Sequence, residues 1–262
     1  MIEITDLFKS FDDKPVLQGL NLSIPRGETL VIIGRSGCGK SVLLKLILGL
    51  ITPDSGQVKV DGKDISLLPE EEMTQLRTRI GMLFQGGALF DSMSVGDNVG
   101  FSLIEHSDMA PPKIRQIVRE KLRMVGLAGI EYLDPSQLSG GMKKRVALAR
   151  AICQNPEIMF YDEPTTGLDP IMAEAINELI VHLNNTLKVT SIVVTHDMHS
   201  AYKVGNRIAM LFEGKIIGVG TPDEIRNSKN PIIQQFIHGS PRGPITERAE
   251  RRFLIDKEAS EK

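Results

Sequence analysis

No stretch of this sequence stays apolar for long enough to cross a bilayer. The runs are short, such as Leu30 to Gly34 or Ile192 to Val194 with its neighbours, against the ~20 residues that a spanning helix needs. A signal peptide is expected to be missing too, because Met1-Ile-Glu-Ile-Thr-Asp6 offers neither a basic n-region nor an apolar h-region. Charge of one sign is also lacking. Lys and Arg total 31 against 33 Asp and Glu, a net −2, so there is no electrostatic footprint for nucleic acid. The only two cysteines, Cys38 and Cys153, lie far apart without metal-ligand spacing and read as reduced cytosolic thiols. No repeat or low-complexity tract appears. What remains is an ordinary globular composition, 41% hydrophobic over 262 residues. That is enough for one large α/β domain or two small ones.

The residues that are present alternate in a readable way. Ile2 to Leu7, Val16-Leu17 and Leu20 to Ile24 read as period-2 strands, broken by turns at Asp12-Asp13-Lys14-Pro15 and Pro25-Arg-Gly27. Gln57-Val-Lys-Val-Asp61-Gly62 reads as an edge hairpin. From about Met109 to Ala151 the spacing turns helical, with Ile114, Ile117, Val118, Leu122 and Val125 on one face. Ile158–Tyr161 and Ser191–Val194 are compact strands flanking a helix over Ala173–Leu187. Strands alternating with helices imply an α/β fold with a parallel sheet, into which a helix-only segment is inserted. After Gly239 the pattern dissolves into Ser-Pro-Arg-Gly-Pro and a charged tail.

Between the strand Glu28–Ile33 and a helix over Val42–Leu48 lies Gly34-Arg35-Ser36-Gly37-Cys38-Gly39-Lys40-Ser41, which fits G-x-x-x-x-G-K-[S/T] without a mismatch. A loop entering a helix aims several backbone N–H groups and the positive end of the helix dipole at one point, where phosphate is favoured. Glycine permits that close approach. Lys40 supplies a point charge for the β- and γ-phosphates and Ser41 a hydroxyl ligand for Mg²⁺. The loop therefore predicts binding of a nucleoside triphosphate. Ile158-Met-Phe-Tyr-Asp162-Glu163 adds an apolar strand tipped with two acids. Asp162 suits the Mg²⁺ shell, and Glu163, pointing elsewhere, suits the general base for water. Ser139-Gly140-Gly141 opens another helix and reads either as a second anion site or as a capping serine with a flexible turn. Two phosphate-binding helix ends in one chain suggest two chains sharing nucleotides.

Taken in order, Gly34–Ser41, Gln85, Leu138–Met142, Asp162–Glu163, Gly167-Leu-Asp169 and His196 resemble the nucleotide-binding subunit of ATP-binding cassette (ABC) transporters, over residues 1 to about 238. The resemblance implies a P-loop NTPase cassette with a RecA-like core, an antiparallel β subdomain and an inserted α-helical subdomain at about 86–155, followed by a C-terminal extension at 239–262. It implies ATP and Mg²⁺ as ligands, and a homodimer. Phe11 then matches the aromatic that stacks on adenine, although a strand-end core aromatic would read the same. Gln85 matches the glutamine that senses Mg²⁺ and the membrane partner. Asp169 matches the residue coupling the two sites, and His196 the histidine on the γ-phosphate. Ser139 would contact ATP held by the opposite protomer.

The segment Gly81-Met-Leu-Phe-Gln85-Gly-Gly-Ala-Leu-Phe90, followed by Asp97-Asn98-Val99, resembles that of cassettes serving Mla/Mce-type phospholipid transporters. Met142, Gly167-x-Asp169-Pro170-Ile171 and Phe236-x-x-Gly239 before Gly243-Pro244 point the same way. The implied partners are integral-membrane permease subunits, a small cytoplasmic regulator and an Mce-type substrate-binding protein, with the chain peripheral at the cytoplasmic face of the inner membrane. Gly86 to Phe90 is short, apolar and Gly-rich, as a socket for a partner helix should be. Equally, Leu83, Phe84, Leu89 and Phe90 could simply be core. A cassette for an amino acid, metal or lipoprotein system would carry the same core motifs, since the cassette never touches the cargo. Against a non-transport ABC ATPase, only about 100 residues separate the phosphate loop from Ser139, too few for a long coiled-coil insertion. The tail from Thr246 to Lys257 reads as a solvated end or as a dimer-bracing extension.

Overall fold

The computed structural model describes residues 1–12 and 14–247. It begins with β1 (Ile2–Phe11) and β2 (Lys14–Ile24), paired antiparallel with Ile2 opposite Ile24. The apolar patches at Val16 and Leu20 thus belong to one long strand. Asp13, which the sequence assigns to a turn, lies outside the described residues. β3 (Thr29–Ile33) leads into α1 (Lys40–Ile47). Then come β4 (Ser55–Val60), the two-residue β5 (Lys63–Asp64), α2 (Glu70–Thr78) and β6 (Ile80–Leu83). Three helices follow, α3 (Val95–His106), α4 (Pro111–Met124) and α5 (Gly140–Ala151). The chain closes with β7 (Ile158–Asp162), α6 (Pro170–Leu187), β8 (Thr190–Thr195), α7 (Met198–Val204), β9 (Arg207–Phe212), β10 (Lys215–Gly220), α8 (Pro222–Arg226) and α9 (Pro231–His238).

Two sheets result. The antiparallel one runs β2-β1-β4-β5, and the other β10-β9-β3-β8-β7-β6. In the second, β9, β3, β8, β7 and β6 are all parallel, and only β10 turns back. β3 is buried at all five positions, as expected of a parallel strand covered on both faces. Its side chains divide strictly. Val31 and Ile33 join Tyr161, Val193 and the apolar faces of α3 to α7. Leu30 and Ile32 join Phe160, Ile192, Val194, α1 and the antiparallel sheet.

α3 begins fourteen residues before the helical spacing becomes visible at Met109. Its Gly96, Asn98 and Gly100 mask the periodicity. Gly100 is there for packing: a Cβ on it would sit 3.2 Å from Val118 and 3.3 Å from Ile114, both on α4. Beyond Gly239 order also persists further than the sequence suggests. Gln235 accepts from Ile245 N (2.7 Å) and donates to Ser240 O (3.1 Å), with Ile245 buried. The tail from 248 onward lies outside the described residues.

The two sheets are stitched together at their start by charge. Arg26, after β2, reaches Asp61 at 2.9 Å and Glu157 at 3.0 Å, while Arg79 reaches the same two acids at 2.6 and 2.9 Å. Held first by Arg79 and then by Arg26, the Glu157 carboxyl titrates at about 2, well below its ordinary 4.5. Because the folded value is the lower one, the stabilisation is fully present above pH 4.5 and is lost as pH falls toward 2. Glu157 is 44% exposed, so screening limits its worth to about 1 kcal/mol. Glu157→Gln should therefore lower the urea midpoint at pH 7. The gap to the parent should close as pH drops from 4.5 toward 2, as read by urea melts across that range. A gap that stays constant with pH would rule out the ionic origin.

Candidate nucleotide site

Parallel pairing decides what converges. Ile33 ends β3 opposite Thr195 at the end of β8, Val194 lies opposite Asp162 at the end of β7, and Tyr161 opposite Leu83 at the end of β6. The phosphate loop, the acid pair, His196 and Gln85 thus leave neighbouring strands at one carboxyl edge, where ligands bind in sheets of this kind.

Within the phosphate loop Gly34 makes the tightest approach. A Cβ on it would lie 2.4 Å from Leu211 O and 2.8 Å from Cys38 Sγ. At the other end of the loop Gly39 is left-handed and caps α1 with no side chain, so the first-turn N–H groups remain open to an anion. Lys40 is 6% exposed and donates to Gly34 O (2.8 Å) and Arg35 O (3.0 Å), poised over the loop. Ser36 and Gly37 form the exposed crown, and Cys38 is half-buried. Phe11 is 44% exposed, with the Lys9 ammonium 5.3 Å from its ring centre. Its ring is not in the core.

Ser41 Oγ donates to Asp162 Oδ1 at 3.4 Å. Burial, and then the neighbouring Glu163, push the Asp162 carboxyl above its ordinary range; Ser41, Lys40 and Lys144 oppose them. A hard oxygen pair whose negative charge is disfavoured by its surroundings suits a divalent cation. No cluster of three or more His, Cys, Asp or Glu side chains suited to a metal exists among the described residues.

Glu163 sits at φ 48°, a left-handed backbone costing roughly 1–3 kcal/mol for a residue with a side chain. Its N–H is tied to Val194 O at 2.9 Å. The turn swings its carboxylate away from Asp162 to meet His196 Nδ1 at 2.9 and 3.0 Å. Thr166 Oγ1 (3.1 Å) and Thr195 Oγ1 (3.4 Å) donate to the same carboxylate. The carboxylate is thus aimed by three side chains. These two threonines escape sequence reading, because nothing but position distinguishes them from other threonines.

Ser139 caps α5, accepting from Met142 N at 3.3 Å, so the capping reading describes the single chain. Ser139 and Gly140 remain exposed. Gly141 is pressed against Met172, whose Cε would lie 2.3 Å from an added Cβ. Asp169 caps α6 through Ile171 N and Met172 N, both at 3.0 Å, and Ile171 is 81% exposed. Ser139–Gly141 and Asp169 therefore share one surface.

Gln85 is exposed, and its carbonyl accepts from Lys144 Nζ. Beside it, Phe84, Phe90, Phe101, Met82 and Arg150 line a groove of about 410 Å³. Leu83 is core, but Phe84 and Phe90 are 42% and 41% exposed. The loop is latched by buried Asn98, which accepts from Phe90 N (2.8 Å) and donates to the carbonyls of Phe90, Met93 and Ser94 (3.0 Å each).

Residues 17–166 match the ABC transporter family. The chain is 42% identical over 245 residues to the intermembrane phospholipid transport system ATP-binding protein MlaF of Haemophilus influenzae, covering 94% of this chain and 93% of that one. It is 41% identical over 244 residues to the probable ribonucleotide transport ATP-binding protein mkl of Mycobacterium tuberculosis, covering 93% and 68%. Among solved structures, the dimeric post-hydrolysis state of the ATP-binding cassette MJ0796, bound to ADP and Pi, superposes with a TM-score of 0.77 at 34% identity, over 85% of this chain and 99% of that one. The chain belongs to the ABC transporter family and is one of its ATP-binding, ATP-hydrolysing cassettes.

Lys40→Ala removes the ammonium that bridges Gly34 O and Arg35 O in the phosphate loop. Charge-assisted hydrogen bonds contribute about 1.5–3 kcal/mol each, so ATP binding should weaken at least about tenfold. Titration with a fluorescent ATP analogue reads this; unchanged affinity would remove Lys40 from the site.

Proposed function

We propose that this chain drives phospholipid movement through a separate membrane permease, working as a pair of cassettes at the cytoplasmic face of the membrane. The acid-tipped strand beside the phosphate loop, with Glu163 already aimed by His196, carries the chemical half of this reading. The first-turn amides of α1 and Lys40 bind the β- and γ-phosphates, and Phe11 stacks on the base. Ser41 and Asp162 would hold Mg²⁺, with Gln85 at its edge; when bound, the ion offsets charge on the phosphates. Glu163 takes the proton from the attacking water. Because His196 uses Nδ1 toward Glu163, its Nε2 faces the γ-phosphate, donating to it when the ring is protonated. Ser139 and the Asp169 turn, sharing one exposed surface, serve ATP held by the partner cassette. Binding thus draws two cassettes together, and hydrolysis lets them part.

The lipid half rests on the segment Gly81–Val99 and on the likeness to MlaF, while the likeness to mkl supports ribonucleotide as the second reading. An Mce-type substrate-binding protein and a small cytoplasmic regulator complete the proposed assembly. The groove at Phe84 and Phe90, apolar and half-open, suits a permease helix.

In Glu163→Gln one amide oxygen, placed where Oε2 lies, still accepts from Thr166, Thr195 and His196, and only the His196 contact to Oε1 is lost to an NH₂. Turnover should fall about 10²–10⁴-fold while ATP still binds and holds the dimer together, as seen by size-exclusion chromatography with ATP. Near-parent hydrolysis would refute the role.

Phe90→Ala tests the partner and cargo together. Losing a central aromatic anchor costs about 2 kcal/mol or more. The variant should therefore capture less permease and move less labelled phospholipid between vesicles, with ATP binding unchanged. Transport of labelled ribonucleotide, and not of phospholipid, by the parent complex would replace the lipid reading with the second one.

A further inference from the structure

Two cations on α5 point at carbonyls of the loop after β6 and not at carboxylates. Lys144, 6% exposed, donates to the carbonyl of Gln85. Nearly two turns further on, Arg150 donates to Ala88 O (2.6 Å) and Gly87 O (2.7 Å). Three of the four carbonyls from Gln85 to Ala88 are thereby held by one helix. The held loop is not a relaxed one. Ala88 sits at φ 48° beside Gly87 at φ 76°, a left-handed backbone that an alanine adopts only when its surroundings enforce it.

The Lys144 arrangement is unfavourable as mere architecture. Burial opposes the charge on Lys144, and Asp162 and Glu163 favour it. Its one hydrogen bond is to a neutral carbonyl. An apolar side chain of similar length would fill the same space without desolvating an ammonium. The helix that carries Lys144 is also the one that begins at Ser139, on the surface that the reading above assigns to the partner cassette. Lys144 therefore joins three things: the Gln85 backbone, the acids at the end of β7, and the helix that opens at Ser139.

We propose that Lys144 is a positioning residue for the hydrolysis step, fixing Gln85 against the nucleotide site from the helix that meets the opposite protomer. The inference rests on the reading of Gln85 as part of the γ-phosphate and Mg²⁺ site.

The test uses the full chain with Mg–ATP and compares Lys144→Met, Lys144→Arg, Gln85→Ala and the Gln85→Ala/Lys144→Met double variant. Misplacing a group near the reacting atoms readily costs tenfold or more, so Lys144→Met should lower kcat by about tenfold while KM for ATP moves less than about twofold. Lys144→Arg, which keeps a cation and its donors, should recover most of the parent kcat. In the Gln85→Ala background, adding Lys144→Met should change kcat by less than about twofold, the non-additivity expected of two groups acting as one. A cooperative thermal melt of Lys144→Met, read alongside, shows that its loss of kcat does not come from unfolding.

Equal losses in Lys144→Met and Lys144→Arg, or losses that multiply with those of Gln85→Ala, would overturn the inference. So would a fully active Lys144→Met beside an impaired Gln85→Ala, and that outcome would leave the reading of Gln85 standing. A fully active Gln85→Ala beside an impaired Lys144→Met would sink the reading of Gln85 and, with it, the positioning of Gln85 by Lys144.

Discussion

Five parallel strands, ordered β9-β3-β8-β7-β6 with β8 at their centre, carry nearly everything the site needs. Each strand of the pairs β3–β8, β8–β7 and β7–β6 alternates its apolar side chains between two distinct cores, one under α3 to α7 and one under α1 and the antiparallel sheet. Slipping any pair by one residue would exchange the two sets, so register is fixed at every position. The ends of the strands are then fixed as well. Lys40, Asp162, His196 and Gln85 lie far apart in sequence, yet they are delivered to one edge without a contact of their own being required to bring them there.

At that edge the problem becomes electrostatic. Two adjacent acids, both half-buried, are hard to keep ionised side by side. The chain answers with backbone geometry and cations. The left-handed turn at Glu163 separates the carboxylates, and Lys40 and Lys144 favour the charge on Asp162 from two directions. Strain at Glu163 is thus the local cost of giving neighbouring residues different tasks, one facing Ser41 and the other facing His196.

The parts of this arrangement legible in the sequence are those whose chemistry demands rare residue patterns. The glycines and lysine of 34–41, the acids after an apolar strand and the Ser-Gly-Gly at a helix start all announce themselves, because few alternatives satisfy the same backbone. Three features stayed hidden for physical reasons. α3 carries glycines where α4 presses close, which erases its helical signature. Lys144 and Arg150 read as the polar residues of an ordinary helix, since their partners are backbone carbonyls that leave no trace in composition. The packing of Ile245 on α9 depends on Gln235, a single amide within a stretch rich in Pro and Gly. Phe11 shows the converse. Sequence allowed a core ring or an exposed one, and only the fold, which leaves it at 44% exposure, separates them.

Asn98 has a bearing on association that its hydrogen bonds alone do not express. By holding Phe90 at both its N–H and its carbonyl, it freezes the rim of the groove before anything arrives. A flexible rim would lose about 0.5–1.5 kcal/mol for each side chain immobilised on contact. Here that loss is incurred during folding, where a large core absorbs it. A helix of the proposed permease would therefore meet a surface whose shape is already decided. Its fit can be tight and still reversible, because affinity comes from complementarity and not from ordering the loop.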